Sequence, residues 1–302
     1  MLVGALAACG NVGGEKPLDA TAPAADARAM CDPTGAFDPP VPLAGFNTAG
    51  NEEVPRFTAD EREMYFDFSS NQGTPNRNIV RSERTTSSSN APFGAPIALA
   101  GVNTTMTEAI PSISGDGLML VFVSDRVSNE GFHLYVSTRT SRAGEFGAPS
   151  KLINVSSATA TDSDNHPFLS MDGQELWFTS NRVDGLGALD IYRATWNGSS
   201  FSDVVAMLAL SSSTDDFLPV LSADGLTVYL ASNRPEGKGG FDIWMAHRST
   251  TRDGFPAPRL VPELNTEADD RIGWISPDNC RIYLSSSRAG TADIYVANRH
   301  PM

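Results

Sequence analysis

The polar and apolar positions of this chain follow one phrase, written several times. "HPFLSMDGQELWFTSNR" at 166–182 shares its outline with "LPVLSADGLTVYLASNR" at 218–234 and "IPSISGDGLMLVFVSDR" at 110–126. "RIGWISPDNCRIYLSSSR" at 271–288 is a looser copy. The phrases are headed by Pro55, Pro111, Pro167 and Pro219, with Gly273 in the fifth copy, in steps of 56, 56, 52 and 54 residues. A second marker, Phe37, Phe93, Phe146, Phe201 and Phe255, keeps the same rhythm. Six residues after each stands an apolar side chain: Leu43, Leu99, Leu152, Met207 or Val261. Two markers sharing one long period indicate a repeat architecture.

Each period holds four strand-like pieces. In the third they are "PFLS", "ELWFTS", "LDIYRAT" and "FSDVVAML", separated by "MDGQ", "NRVDGLGA" and "WNGSS". The second piece is mostly apolar, as a strand covered on both faces must be. Pro at the head of the first piece suits an edge strand, which needs no ladder donor there. Four antiparallel strands per period, with Pro on the innermost edge, predict a propeller blade, and no long helix is expected.

The phrase "SxDGxxLxFxSxR…DIYxA", present as "SMDGQELWFTSNR…DIYRA" and "SADGLTVYLASNR…DIWMA", resembles the WD40-like repeat of TolB-type periplasmic propellers over roughly residues 37–299. The resemblance implies a fold; the family includes binding scaffolds, sensor domains and propellers fused to peptidases. The first copy departs most, with Glu61 where copies two to four have Gly and Ser70 where they have Arg.

The repeats begin on a fourth strand, "FDPPVPL" at 37–43, and end on a third, "ADIYVAN" at 292–298. Pairing the two completes the last blade and removes two exposed edges. The expected fold is therefore an all-β, five-bladed propeller over 37–302, closed by its N-terminal strand. Cys280 falls in the first turn of blade 5 and Cys31 just before the strand that completes it. Both lie on one face of the meander, so a disulfide is expected.

The first nine residues, "MLVGALAAC", end in a segment that resembles a lipoprotein lipobox, with Cys9 as the lipidated residue. The apolar run is short and has no Lys or Arg ahead of it, which points to a true start further upstream. Gly10 after the Cys favours the outer membrane. Residues 10–36, rich in Ala, Pro, Gly and Asp, read as a tether. No stretch approaches the roughly 18 apolar residues of a spanning helix, so membrane contact is expected through the lipid alone. The formal net charge of −14 argues against nucleic acid as a partner.

Candidate chemistry gathers where the first strand starts. Three residues before each marker stands an acid: Glu52, Glu108, Asp164, Asp216, Asp270. These predict an acidic ring near one mouth of the channel. Arg126, Arg182, Arg234 and Arg288 close the second strands on that face, and Asp190, Asp242 and Asp293 open the third strands there. His166, before Pro167, joins the candidate binding set. Two readings are open, ion pairs that fix register or a site for a cationic ligand. Asp67, in the apolar strand "MYFDFSS", is expected to pair with Arg77 or Arg81. No GxSxG, HExxH or Walker signature is present, and the four His lack metal-ligand spacing. No catalytic residue and no cofactor are expected, calcium at the mouth being the one ion the acids could attract. The functional expectation is a monomeric, non-catalytic envelope scaffold binding a protein or glycan. The alternative is a glycan-active hydrolase or lyase using mouth carboxylates.

Overall fold

A computed structural model describes residues 30–43, 46–48, 50–69, 77–86, 91–127, 131–157, 159 and 162–300. Strand β1 (Val41–Pro42) belongs to the last blade. Blade 1 holds β2 (Asn51–Phe57), β3 (Glu63–Ser69), β4 (Asn78–Glu83) and β5 (Ile97–Ala98). Blade 2 holds β6 (Glu108–Ile113), β7 (Met119–Ser124), β8 (His133–Thr138) and β9 (Ser150–Lys151). Blade 3 holds β10 (Asp164–Leu169), β11 (Glu175–Ser180), β12 (Asp190–Trp196) and β13 (Phe201–Ala206). Blade 4 holds β14 (Asp216–Leu221), β15 (Thr227–Ser232), β16 (Asp242–His247) and β17 (Arg259–Leu260). Blade 5 holds β18 (Asp270–Ile275), β19 (Arg281–Ser286) and β20 (Asp293–Asn298), completed by β1. The five four-stranded antiparallel sheets form the predicted five-bladed propeller.

The repeated phrase explains its own turns. In "SxDG", the hydroxyls of Ser114, Ser170 and Ser222 donate to the carboxylates of Asp116, Asp172 and Asp224 at 2.5–2.6 Å. Gly117, Gly173 and Gly225 then take φ of 77°, 68° and 71°, which an L side chain rarely adopts. The Phe marker has an equally local cause. Phe93, Phe146 and Phe255 each lie beneath the guanidinium that follows their blade's third strand, Arg84, Arg139 or Arg248, at 4.2–4.8 Å. Blade 3 replaces that cation with Trp196, whose ring is 5.1 Å from Phe201.

Closure follows the expected route, in fewer residues. The piece at 37–43 contributes only Val41 and Pro42, paired with Val296 and Tyr295. Outer strands are two residues long in every blade except the third. What the short strand lacks in ladder bonds is supplied around it. Arg299 lies 3.7 Å over the Phe37 ring, and Cys31 is bonded to Cys280. The packed chain thus reaches back past residue 37: Cys31 is buried, and the Gly35 carbonyl accepts from Arg299. Cys9 and residues 10–29 lie outside the described residues.

Blade 1, the least regular copy, is held by a seam of its own. Glu61 stands at φ 57°, where Gly stands in the regular blades. Its buried carboxylate accepts from Arg84 of its own blade and from Arg281 and Tyr283 of blade 5. On the other side Glu63 accepts from Arg139 and Arg142 of blade 2 at 2.6 and 2.9 Å. Irregular blade 1 sequence is therefore where the ring is tied.

Candidate functional site at the channel mouth

All five inner strands start at one face of the ring, each with its acid. Glu52, Glu108, Asp164, Asp216 and Asp270 are buried to within 1% of full enclosure. In blades 2–5 the acid is paired with the Arg that ends the adjacent strand: Glu108–Arg126 at 3.3 Å, Asp164–Arg182 at 2.6 Å, Asp270–Arg288 at 2.5 Å, and Asp216–Arg234 likewise. The same guanidinium donates to a carbonyl of the segment arriving from the preceding blade: Val102, Val155, Leu210 or Leu264. It also lies over an aromatic ring of its own blade. The second carboxylate oxygen takes a backbone N–H, as from Ser157 to Asp164 at 3.0 Å and Thr266 to Asp270 at 2.6 Å. Glu52 is bonded by the backbone and hydroxyl of Thr48; Ser70 lies outside the described residues. The acids of the expected ring are thus enclosed, four of them in the ion-paired form that was one of its two readings. Burial removes these acids from the channel surface, and each inner strand bulges shortly after them.

Asp190 and Asp242 are likewise engaged by their own loops. The amides of Leu186 and Gly187 donate to Asp190, and those of Lys238 and Gly239 to Asp242, at 2.8–3.1 Å. Glycines are needed in these loops, since a Cβ on Gly185 would lie 2.0 Å from the Asp190 carboxylate and one on Gly237 2.2 Å from that of Asp242. Asp293, lacking such a cradle, has its carboxyl pushed up by burial.

The bulge after each acid makes the site. Every inner strand carries a bulge, and Val54, Ile110, His166 and Leu218 sit in it at φ 51–53°. Such backbone costs about 1–3 kcal/mol per residue and turns the side chain toward the axis. A cavity of ≈ 250 Å³ opens there, lined from all five inner strands by Glu53, Val54, Ile110, His166, Phe217, Leu218 and Arg271. Arg77, Leu189, Asp215 and Phe241 complete it. A neighbouring cavity of ≈ 300 Å³ between blades 5 and 1 shares Glu53 and Arg271.

Planar groups dominate this pocket. The Phe217 ring is 4.7 Å from Phe241 and 4.9 Å from His166, and Arg271 lies 5.3 Å over Phe241. Burial, with Arg271 and Arg56 nearby, lowers the His166 pKa to about 3, so the imidazole is neutral. Arg77 joins two carboxylates, Asp67 at 2.5 Å and Glu53 at 2.7 Å. This settles the Asp67 partner as Arg77; Arg81 pairs with Glu83. Burial pushes the Asp67 carboxyl up to about 6 despite Arg77. Among the described residues no group of three or more His, Cys, Asp or Glu side chains is arranged to hold a metal ion.

Of the expected site residues only His166 lines the cavity. Glu53, Arg77, Asp215, Phe217, Phe241 and Arg271 were not singled out by the repeat, because the repeat selects what every blade shares. The signal was its complement: the position after the acid reads Glu53, Ala109, Asn165, Phe217 and Arg271, one residue type per blade.

No protein-family model matches the chain, and no curated protein matches it. Solved structures do. A thermostable family-43 glycoside hydrolase is similar at TM-score 0.55 and 11% identity, over 85% of this chain and 91% of that one. The α-L-arabinofuranosidase PaAbf62A of Podospora anserina is similar at TM-score 0.50 and 14% identity, over 90% and 99%. TolB of Acinetobacter baumannii is similar at TM-score 0.44 and 16% identity; this chain is covered over 90% and spans 63% of that protein. At these identities the likeness is one of fold.

Proposed function

We propose that the chain is a non-catalytic, TolB-like propeller of the cell envelope whose channel mouth binds a glycan or a protein segment. The observation that carries this reading is the pocket lined from every inner strand, in which Phe217, Phe241 and His166 stand beside Arg271, Glu53 and Asp215. Flat apolar faces with a few fixed polar groups suit a sugar ring or an extended side chain. Exposed apolar side chains on the same face support a macromolecular partner. Val127, Phe132, Ile153, Val183, Leu186 and Leu208 occupy loops at the mouth side of blades 2 and 3. The acids are engaged rather than free, which favours binding over turnover. The Cys31–Cys280 bond suits an oxidising compartment, in keeping with anchoring through Cys9 at the outer membrane.

One observation favours a glycoside hydrolase as the second reading. Asp67, raised to about 6, and Glu53 flank one guanidinium, and a protonated acid beside an ionised one is what such chemistry uses. Against it, Asp67 is buried and does not line the pocket. Calorimetry against a panel of oligosaccharides and envelope peptides should find a ligand whose affinity falls at least tenfold in Phe241→Ala. Aryl arabinofuranosides and xylosides should release no phenol. Release that Glu53→Gln abolishes would overturn the non-catalytic reading.

A further inference from the structure

Below the ring of Val54, Ile110, His166 and Leu218, two residues further along each inner strand, lie Arg56, Ser112, Phe168, Val220 and Trp274. Four of these are expected occupants of a closed axis. Arg56 is not. It is 1% exposed, and Nε, Nη1 and Nη2 are all buried without a hydrogen-bond partner. Its guanidinium, from blade 1, lies 5.2 Å from the ring of Phe168 in blade 3, so the side chain reaches across the axis. Nδ1 of His166, from the ring above, is also buried and unpartnered.

A guanidinium in this position keeps its charge. Burial lowers its pKa to about 9, still well above neutral. Asp67 acts on it through space but is hydrogen-bonded to Arg77, which also holds Glu53. The face of Phe168 offers one weak cation–π contact and satisfies no N–H in the guanidinium plane. A fixed cation with a full set of donors, enclosed by aromatic and aliphatic walls, binds a compact anion strongly because no water competes. Arg56 does not line the mouth pocket, so the ion's position is distinct from that of the proposed ligand.

We propose that a compact monovalent anion of the halide class sits against the Arg56 guanidinium inside the channel, as an integral part of the propeller.

Two measurements on the full chain test this. Crystals grown with bromide in place of chloride should show an anomalous peak in contact with the Arg56 guanidinium. Melting temperature, followed at constant ionic strength, should rise by several degrees from gluconate to chloride or bromide, since an ion bound only by the folded state stabilises it by mass action. In Arg56→Met, a near-isosteric apolar replacement, that dependence should vanish. Ordered water in place of the bromide peak would overturn the proposal, and so would a wild-type melting temperature indifferent to the anion. Should Arg56→Met fail to fold, the bromide map and the wild-type series still decide.

Discussion

Asp67 shows how one substitution in a repeat acquires a property of its own. The other blades carry Val123, Thr179, Ala231 and Ser285 at its position, facing the same packed surroundings. A carboxyl there loses hydration, and Arg77 returns only part of it, so the folded pKa of about 6 exceeds the ordinary value near 4. Between those values the folded protein holds a proton that the unfolded chain has released. Stability from this group therefore falls as pH rises from about 4 to about 6 and is level above. Asp67→Asn removes that slope. The melting temperature of the variant minus that of the wild type should increase between pH 4 and 7 and then stay constant. A difference that shrinks over this interval would show that the charged form is the preferred one.

At the scale of the strand, the marker of the fifth copy has a packing reason. A Cβ on Gly273 would lie 2.6 Å from Cγ of Pro55 and 2.9 Å from the Tyr283 carbonyl. There the inner strands of blades 5 and 1 meet, Pro55 of one packing where the other has no side chain. Gly273→Ala should cost about 1–3 kcal/mol by overpacking, measured by denaturant unfolding; an unchanged midpoint would mean the seam can open at no expense. The repeat made the strands, their order and the closing pair legible, because turn chemistry and alternation are local and recur. The closing strand "FDPPVPL" is shorter than its pattern predicts, because contacts such as that of Phe37 with Arg299 rather than a ladder shape it, whereas "FSDVVAML" of blade 3 does form a strand over Phe201–Ala206. The site was legible only in part. His166 was named, but the bulge that turns it inward leaves no mark beyond Pro167. The mouth acids share one motif with their Arg partners, and a motif does not say which way a strand will bend.

Across the whole ring, the joint between the N-terminal closing strand and blade 5 concentrates bonds of several kinds. The disulfide encloses 249 residues of sequence separation, so chain entropy assigns it about 5 kcal/mol as an upper value. The Glu61 cluster and the Arg299–Phe37 stack close the same blade without it. Cys31→Ser with Cys280→Ser should still fold, with an unfolding free energy, measured in denaturant, lowered by no more than that amount. Reductant should produce the same shift in the wild type and none in the variant. A variant as stable as the oxidised wild type would show that the noncovalent clasp suffices.

The place of that bond also gives the molecule a front and a back. Cys280 lies in the turn between β18 and β19, at the opposite end of the inner strand from Asp270 and the mouth. Cys31 is fixed there by the disulfide, so the described chain begins on the rear face, with the mouth pocket on the other. A ligand of the mouth pocket therefore enters from the face opposite the disulfide.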